Sequence, residues 1–143
     1  MKRCAPVLMV ALLLAGQGRA AAEATAPADF PIRQELGVLF MNGWPVSGKA
    51  PTLFVTTRDD GFSGYGSAGC NSWSAEIKLN DDGSMHVGAI RTTRMACAPE
   101  IMQTERTFME ALARPLRWRR EHGMLVLENE GNKLMLAPVF QQR

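Results

Sequence analysis

Glycines beside acidic or polar residues recur along this chain and divide it into short strands. Such glycines supply the positive φ that tight hairpin turns require. Between them, apolar residues alternate with polar ones. This period of two, bounded by glycine and aspartate, predicts antiparallel strands. The turn groups are Asp59-Asp60-Gly61, Asp81-Asp82-Gly83, Glu121-His122-Gly123 and Glu130-Gly131-Asn132. The alternating residues include Leu53 with Val55, Ile77 with Leu79, Met85 with Val87, Leu125 with Leu127, and Leu134 with Leu136.

Residues 99–113 depart from this pattern and predict one helix. Ile101, Phe108 and Leu112 follow helical spacing, Pro99 suits a first helical position, and Pro115 ends the segment. The layout is therefore mostly β, or α+β by count. We expect a curved antiparallel sheet or small barrel-like β structure with one covering helix.

The first 24 residues have the layout of a secretory signal peptide. Lys2 and Arg3 precede an apolar run at 5–15, and small residues then recur two apart, so we expect cleavage near residues 20–24. The run is too short for a bilayer span, which needs roughly twenty residues, so we expect no transmembrane anchor. No cysteine follows the small residues, so there is no lipobox. We expect a periplasmic or secreted protein with a flexible leader at 25–33 and one domain at 34–140.

The charge of the chain changes on processing. Of its 16 basic and 14 acidic residues, cleavage after Ala22 would remove three basic ones, Lys2, Arg3 and Arg19. The mature protein is then nearly neutral, which argues against nucleic acid as a partner. Arginines concentrate at 114–120, where Arg117 and Arg119 flank Trp118. This segment is interpreted as a solvated face above a core tryptophan, with an acidic partner or anionic lipid surface as the alternative.

Cys70 and Cys97 are the cysteines that remain after cleavage. An even pair in an oxidising compartment predicts a disulfide. The alternative is a catalytic thiol pair, but such pairs usually lie two residues apart at a helix start. A structural cross-link is therefore favoured.

Three other patterns are set aside, and no cofactor, metal or catalytic residue is predicted. Residues 64–69 match the dinucleotide fingerprint, but a strand rather than a helix is predicted after them. His86 and His122 have no cysteine partner at zinc spacing. The serines near the turns lack an activating histidine.

Two blocks resemble a known family. Gly69-Cys70-Asn71 follows a glycine-rich strand, and Thr93-Arg94-Met95-Ala96-Cys97 precedes the helix that carries Glu105. In this order they are similar to the META domain of HslJ-like bacterial envelope proteins, and the likeness extends over residues 35–139. One departure is Gly37-Val38, where the family commonly has a tryptophan.

The resemblance implies a compact β structure with one helix, and a role in envelope stress resistance or integrity. It implies no catalytic residues, so the protein is expected not to be an enzyme. The matching positions are expected to be structural: Gly69, Cys70, Asn71, Thr93, Arg94, Met95, Cys97 and Glu105. Glu105 falls on the apolar stripe of the helix and needs a partner, for which we hypothesise Arg94.

The expected activity is the binding of an envelope protein or a small apolar ligand by a monomer. One alternative is an inhibitor-like module for a secreted hydrolase. A thiol-redox enzyme is the weaker alternative.

Overall fold

The computed structural model describes residues 24–140. The predicted signal peptide lies outside these residues except for Ala24. The described part contains ten strands and one helix: β1 Glu35–Met41, β2 Trp44–Pro45, β3 Thr52–Arg58, β4 Gly61–Ser67, β5 Ser72–Leu79, β6 Ser84–Val87, β7 Arg91–Thr92, α1 Pro99–Leu112, β8 Leu116–Glu121, β9 Met124–Glu128 and β10 Lys133–Pro138.

Eight strands close into an antiparallel barrel. In chain order β1, β3, β4, β5, β6, β8, β9 and β10 lie side by side, and β10 pairs with β1 to complete the circle. β2 pairs with the end of β1, and β7 pairs with the start of β5. The predicted fold, mostly β and barrel-like with one helix, is confirmed.

Apolar side chains from every barrel strand fill the interior. The alternation read from the sequence places one residue in two inside, and the inward residues are almost fully buried. An eight-stranded barrel is just wide enough for side chains to occupy its interior. Each buried leucine stabilises the fold by about 1.5–3 kcal/mol. The inward residues include Leu36, Leu53, Phe62, Ile77, Met85, Leu116, Leu125 and Leu134.

Helix α1 covers one end of the barrel. Its buried residues Phe108, Ala111 and Leu112 join the core. The Phe108 ring meets the ring of Trp73, at the start of β5, edge to face with centroids 5.8 Å apart. Asn129, just after β9, donates from Nδ2 to the Ala111 carbonyl at 3.2 Å. The helix therefore spans from β5 to β9 across this opening.

Residues 24–33 cover the opposite end. Phe30 is 4% exposed and meets Trp118 edge to face, with centroids 5.3 Å apart. The Arg33 amide donates to the Val55 carbonyl at 2.7 Å. The segment expected as a leader thus supplies a side chain to the core.

Among residues 24–140, no helix is both long and apolar enough to cross a lipid bilayer.

Candidate functional site

Asn71 organises the region where the two signature blocks meet. It is 4% exposed, and its side-chain amide uses all of its hydrogen-bonding capacity. Oδ1 accepts from the Thr93 hydroxyl at 3.0 Å and from the Met95 amide at 2.6 Å. Nδ2 donates to the Met95 carbonyl at 3.3 Å and to Glu105 Oε1 at 2.8 Å. Asn71 therefore holds the segment 93–95 against helix α1.

Glu105 has a different partner from the one hypothesised. Its carboxylate accepts from the Asn71 side chain and, at 2.7 Å, from the Asn71 backbone amide. Arg94 is exposed and forms no ion pair with the acidic residues of the described chain. The predicted Arg94–Glu105 pair is therefore wrong. The carboxylate accepts hydrogen bonds from two N–H donors beside the barrel rim, and these bonds supply the partners that it needs.

A disulfide joins Cys70 to Cys97, with the two Cα atoms 5.9 Å apart. Cys70 is 3% exposed, whereas Cys97 belongs to the exposed stretch that leads into α1. Gly69, immediately before Cys70, has a φ of 117°, which side chains rarely tolerate. The glycine, the disulfide and the Asn71 hydrogen bonds all act on the same loop, so this region has the character of a structural anchor.

The residues after β7 are exposed although they are held at several points. Met95 is 56% exposed, and Thr93 exchanges hydrogen bonds of 3.1 Å with the backbone of Ser72. Of the predicted signature residues, Gly69, Cys70, Asn71, Thr93, Met95, Cys97 and Glu105 are brought together here. Arg94 lies beside them with its side chain directed to solvent.

An exposed apolar face on β1 and β10 was not predicted from the sequence. We define it as Leu39, Phe40, Met135 and Val139; Trp44 pairs with Met41 and therefore lies on the other side of the β1–β2 hairpin from Phe40. Leu39 is 45% exposed, Val139 42% and Trp44 78%. Large apolar side chains that adjoin one another on a protein surface often mark an interaction site, whereas single exposed apolar residues usually do not.

A bulge in β1 produces the face. Val38 pairs with Leu136 and Phe40 with Met135, so the register shifts by one residue and Leu39 is left unpaired. The side chains of Leu39 and Phe40 consequently both point outward, where strict alternation would bury one of them. The Asn42-Gly43 turn, with φ values of 52° and 87°, then reverses the chain and presents Trp44. The sequence signal was the apolar run 38–41, which breaks the alternation.

The arginines of β8 are mostly engaged by their own surroundings. Arg119 forms ion pairs with Glu121 and Glu128, and the hydrogen bond to Glu121 is the main cause of a raised pKa of Arg119. Arg117 donates to the Asp82 carbonyl at 2.7 Å. Trp118 points inward between them, as predicted. The segment therefore presents less free positive charge than its sequence suggests.

Neither histidine belongs to a metal site within the described chain. His86 and His122 are exposed, and no group of three His, Cys, Asp or Glu side chains is close enough to bind a metal among residues 24–140. The dinucleotide-like residues 64–69 run from β4 into the turn before β5. The helix that would bind a pyrophosphate at its N-terminus is thus replaced by a strand.

Two solved structures share this fold, and no curated protein matches the chain. An NMR structure of a protein is 24% identical, with a TM-score of 0.60 over 73% of this chain and 87% of its own. An NMR structure of a protein from Burkholderia xenovorans is 22% identical, with a TM-score of 0.61 over 84% of this chain and 96% of its own.

A family model covers the barrel and its helix almost completely. It extends over residues 36–139, from β1 to the residue after β10, and includes both cysteine blocks. The expected family and the closed β fold thus agree, and this chain belongs to the META domain family.

Proposed function

We propose that this protein is a non-catalytic, exported META domain protein that binds a partner protein of the cell envelope through its apolar face, in support of envelope integrity under stress. The apolar face is the observation that carries the proposal. Leu39 and Phe40 lie side by side on the surface, although the barrel interior has its own complete set of apolar residues.

A protein partner is favoured over a small apolar ligand by the packing of the barrel. Its interior is occupied by side chains from all eight strands, and α1 and the segment around Phe30 cover its ends. The exposed apolar area lies on the convex outside instead. An aromatic residue on such a surface, here Phe40, commonly contributes a large share of the free energy of protein association.

The proposal includes no catalytic activity because the META domain family is not a known enzyme family. The site chemistry is in keeping with this proposal. The hydrogen-bonding groups of Asn71 are satisfied within the protein, and the cysteine pair forms a disulfide. The disulfide supports the proposed export, because disulfides persist in an oxidising compartment.

Photo-crosslinking in the producing organism tests the proposal. A benzophenone amino acid is placed at Leu39 or Phe40 and, as a matched exposed control on the other side of the barrel, at Lys78. We expect one discrete protein adduct from the first two positions and none from Lys78. Adducts of equal yield at all three positions, or no adduct at the apolar face, would contradict the proposal.

A phenotype connects the adduct to function. In a strain that lacks the gene and is sensitive to heat or envelope stress, wild-type protein should restore survival, whereas L39S/F40S should not. Because Phe40 is 36% exposed and pairs within the sheet, the melting temperature of the variant is measured first and survival is compared well below it. Full rescue by L39S/F40S would exclude the apolar face from the function.

Inhibition of a secreted hydrolase is a second candidate, favoured by the exposure of Trp44. The β1–β2 hairpin presents this ring beyond the barrel, a shape suited to entering a cleft. Inhibition of a peptidoglycan hydrolase or secreted protease that weakens on Trp44→Ala would support this candidate. A crosslinked partner without hydrolase activity would exclude it.

A further inference from the structure

A polar groove of about 690 Å³ lies on the outer surface, away from the apolar face. Outward residues of β3, β4 and β5 form its floor. Its wall comes from the segment between β6 and β7, because β6 pairs with Ile77–Leu79 and β7 pairs with Trp73 and Ser74 of the same strand. Residues 89–90 leave the sheet between these two pairings. The volume lies within the range of small-molecule sites.

The strand register places complementary groups in rows across the groove. Tyr65 pairs with Ser74, and Ser74 pairs with Arg91, so these three side chains form one row over β4, β5 and β7. Ser63 pairs with Glu76 in the next row. Arg58, at the end of β3, lies at the far side of the groove.

Tyr65 offers an exposed ring at the floor. It is 46% exposed, and Phe54 of β3 supports it with ring centroids 5.1 Å apart. The C–H face of a pyranose packs well on such a ring, which combines an apolar body with a polar edge. The neighbouring hydroxyls of Ser63 and Ser74 are able to donate to and accept from sugar hydroxyls.

The charges favour a ligand with one negative group. Arg58 and Arg91 are exposed and form no ion pair with the acidic residues of the described chain, whereas Glu76 contributes one carboxylate. The side-chain charge of the groove is therefore +1. A guanidinium binds a carboxylate with two parallel hydrogen bonds. Phosphates are commonly bound by free backbone amides at helix starts or turns, but this floor is made of strands paired in a ladder.

We propose that this groove binds an acidic saccharide, a sugar ring that bears a carboxylate. Tyr65 packs against the ring, Ser63 and Ser74 bond to its hydroxyls, and Arg91 or Arg58 binds the carboxylate. Glu76 accepts a hydrogen bond from a sugar hydroxyl or amide and disfavours a doubly charged group. Such ligands occur in secreted polysaccharides, as uronic acids, and in peptidoglycan strands from which the stem peptide has been removed, because this frees the carboxylate of muramic acid. This site is separate from the apolar face and does not depend on it.

NMR titration of the full mature chain, ¹⁵N-labelled, tests the site. The probes are N-acetylmuramic acid and glucuronic acid, with N-acetylglucosamine as the neutral control and glucose 6-phosphate as the phosphate control. We expect saturable shifts confined to the groove with at least one of the two acids, and at least tenfold weaker binding of both controls. The tighter of the two acids identifies the source of the ligand.

Variants separate specific binding from general charge attraction. Arg91→Ala and Tyr65→Ala should each weaken binding of the acid at least fivefold, whereas Arg106→Ala, an exposed arginine of α1, should leave it unchanged. Melting temperatures verify that each variant is folded, and Arg91→Lys retains the charge if a gentler change is needed. The proposal is overturned if neither acid gives saturable shifts, if the controls bind as tightly, or if Arg106→Ala weakens binding as much as Arg91→Ala.

Discussion

Asn71 and Glu105 are joined by two hydrogen bonds, 2.7 Å from the Asn71 backbone amide to Oε2 and 2.8 Å from Nδ2 to Oε1. The pair connects the turn before β5 to the middle of α1. Because Asn71 also binds the backbone of Met95 through its side chain, one amide holds three parts of the chain together. The arrangement gives two residues far apart in sequence a shared role in closing one end of the barrel.

Removing the side-chain amide of Asn71 should destabilise the folded protein. We expect Asn71→Ala to lower the free energy of unfolding by about 2–4 kcal/mol, because one carboxylate oxygen of Glu105 and both backbone groups of Met95 lose their hydrogen bonds to the side chain, while the Asn71 backbone amide still donates to Glu105. The exposed Asn80→Ala is the matched control and should cost less than about 1 kcal/mol. Urea denaturation of the Asn71→Ala, Glu105→Ala and double variants should give a coupling energy of about 1–2 kcal/mol. An Arg94→Ala variant as unstable as Asn71→Ala would contradict this assignment.

Replacing the two cysteines one at a time should lower the free energy of unfolding by unequal amounts. The disulfide closes a loop of sequence separation 27, so its loss should cost about 3–4 kcal/mol through the greater entropy of the unfolded chain. Cys97→Ser should show this cost alone, since residue 97 is exposed. Cys70→Ser should cost about 1 kcal/mol more, because it places a hydroxyl at a buried position. Urea denaturation of both variants, with the parent under reducing conditions, provides the comparison. Equal stability of oxidised and reduced parent would be inconsistent with a structural role.

The strands, the helix and most of the core were predictable because they depend on local pattern. Leu125 and Leu127, for example, alternate with their neighbours, and both are buried. The partner of Glu105 was not predictable in this way. Arg94 is closer in sequence, but the curvature of the barrel brings Asn71 to the helix instead. Proximity along the chain is a poor guide where long-range strand pairing determines which residues meet.

Barrel closure and the two surface sites had weaker signals in the sequence, because they too depend on long-range strand pairing. The pairing of β1 with β10 joins the two ends of the domain, which no short window of sequence reveals. The apolar face depends on one unpaired residue, Leu39, that shifts the register of β1. The polar groove depends on how Tyr65, Ser74 and Arg91 align across three strands. The local signs in the sequence were the apolar run 38–41, which breaks the alternation, and the Asn42-Gly43 turn of the exposed hairpin.

Two glycines of β4 should respond in opposite ways to replacement by alanine. A Cβ at Gly66 would meet the Thr52 carbonyl, and would lie 2.7 Å from Thr52 Oγ1, whereas a Cβ at Gly61 has open space. We expect Gly66→Ala to destabilise the protein by about 2–3 kcal/mol, because backbone must shift to relieve the clash. Gly61→Ala should be neutral or stabilise it by up to about 1 kcal/mol. Thermal and urea denaturation measure both, and similar losses for the two variants would show that the close approach is not limiting.

Phe30 should be a core residue although it precedes the barrel. We expect Phe30→Ala to lower the free energy of unfolding by about 3–4 kcal/mol, as for other buried phenylalanines. Phe140, which is 84% exposed, is the matched control, and Phe140→Ala should change stability by less than about 0.5 kcal/mol. Tryptophan fluorescence should also shift in the Phe30 variant, since Trp118 loses its ring contact. A Phe30 variant as stable as the parent would mean that residues 24–33 do not contribute to the folded core.

Asp82 should make the stability of the protein depend on pH in the acid range. Hydrogen bonds from Ser84, and then the charge of Arg117, lower the pKa of Asp82 below its ordinary value of 3.8. A carboxyl whose pKa is lowered on folding stabilises the folded state above its unfolded pKa, and this contribution is lost as the pH falls through the folded pKa. Asp82→Asn retains an oxygen that accepts from the Ser84 amide but removes the charge. We therefore expect the Asp82→Asn variant to lose less unfolding free energy than the parent when the pH falls from about 4.5 to about 2.5. An unchanged slope in Asp82→Asn would assign the acid sensitivity to other carboxylates.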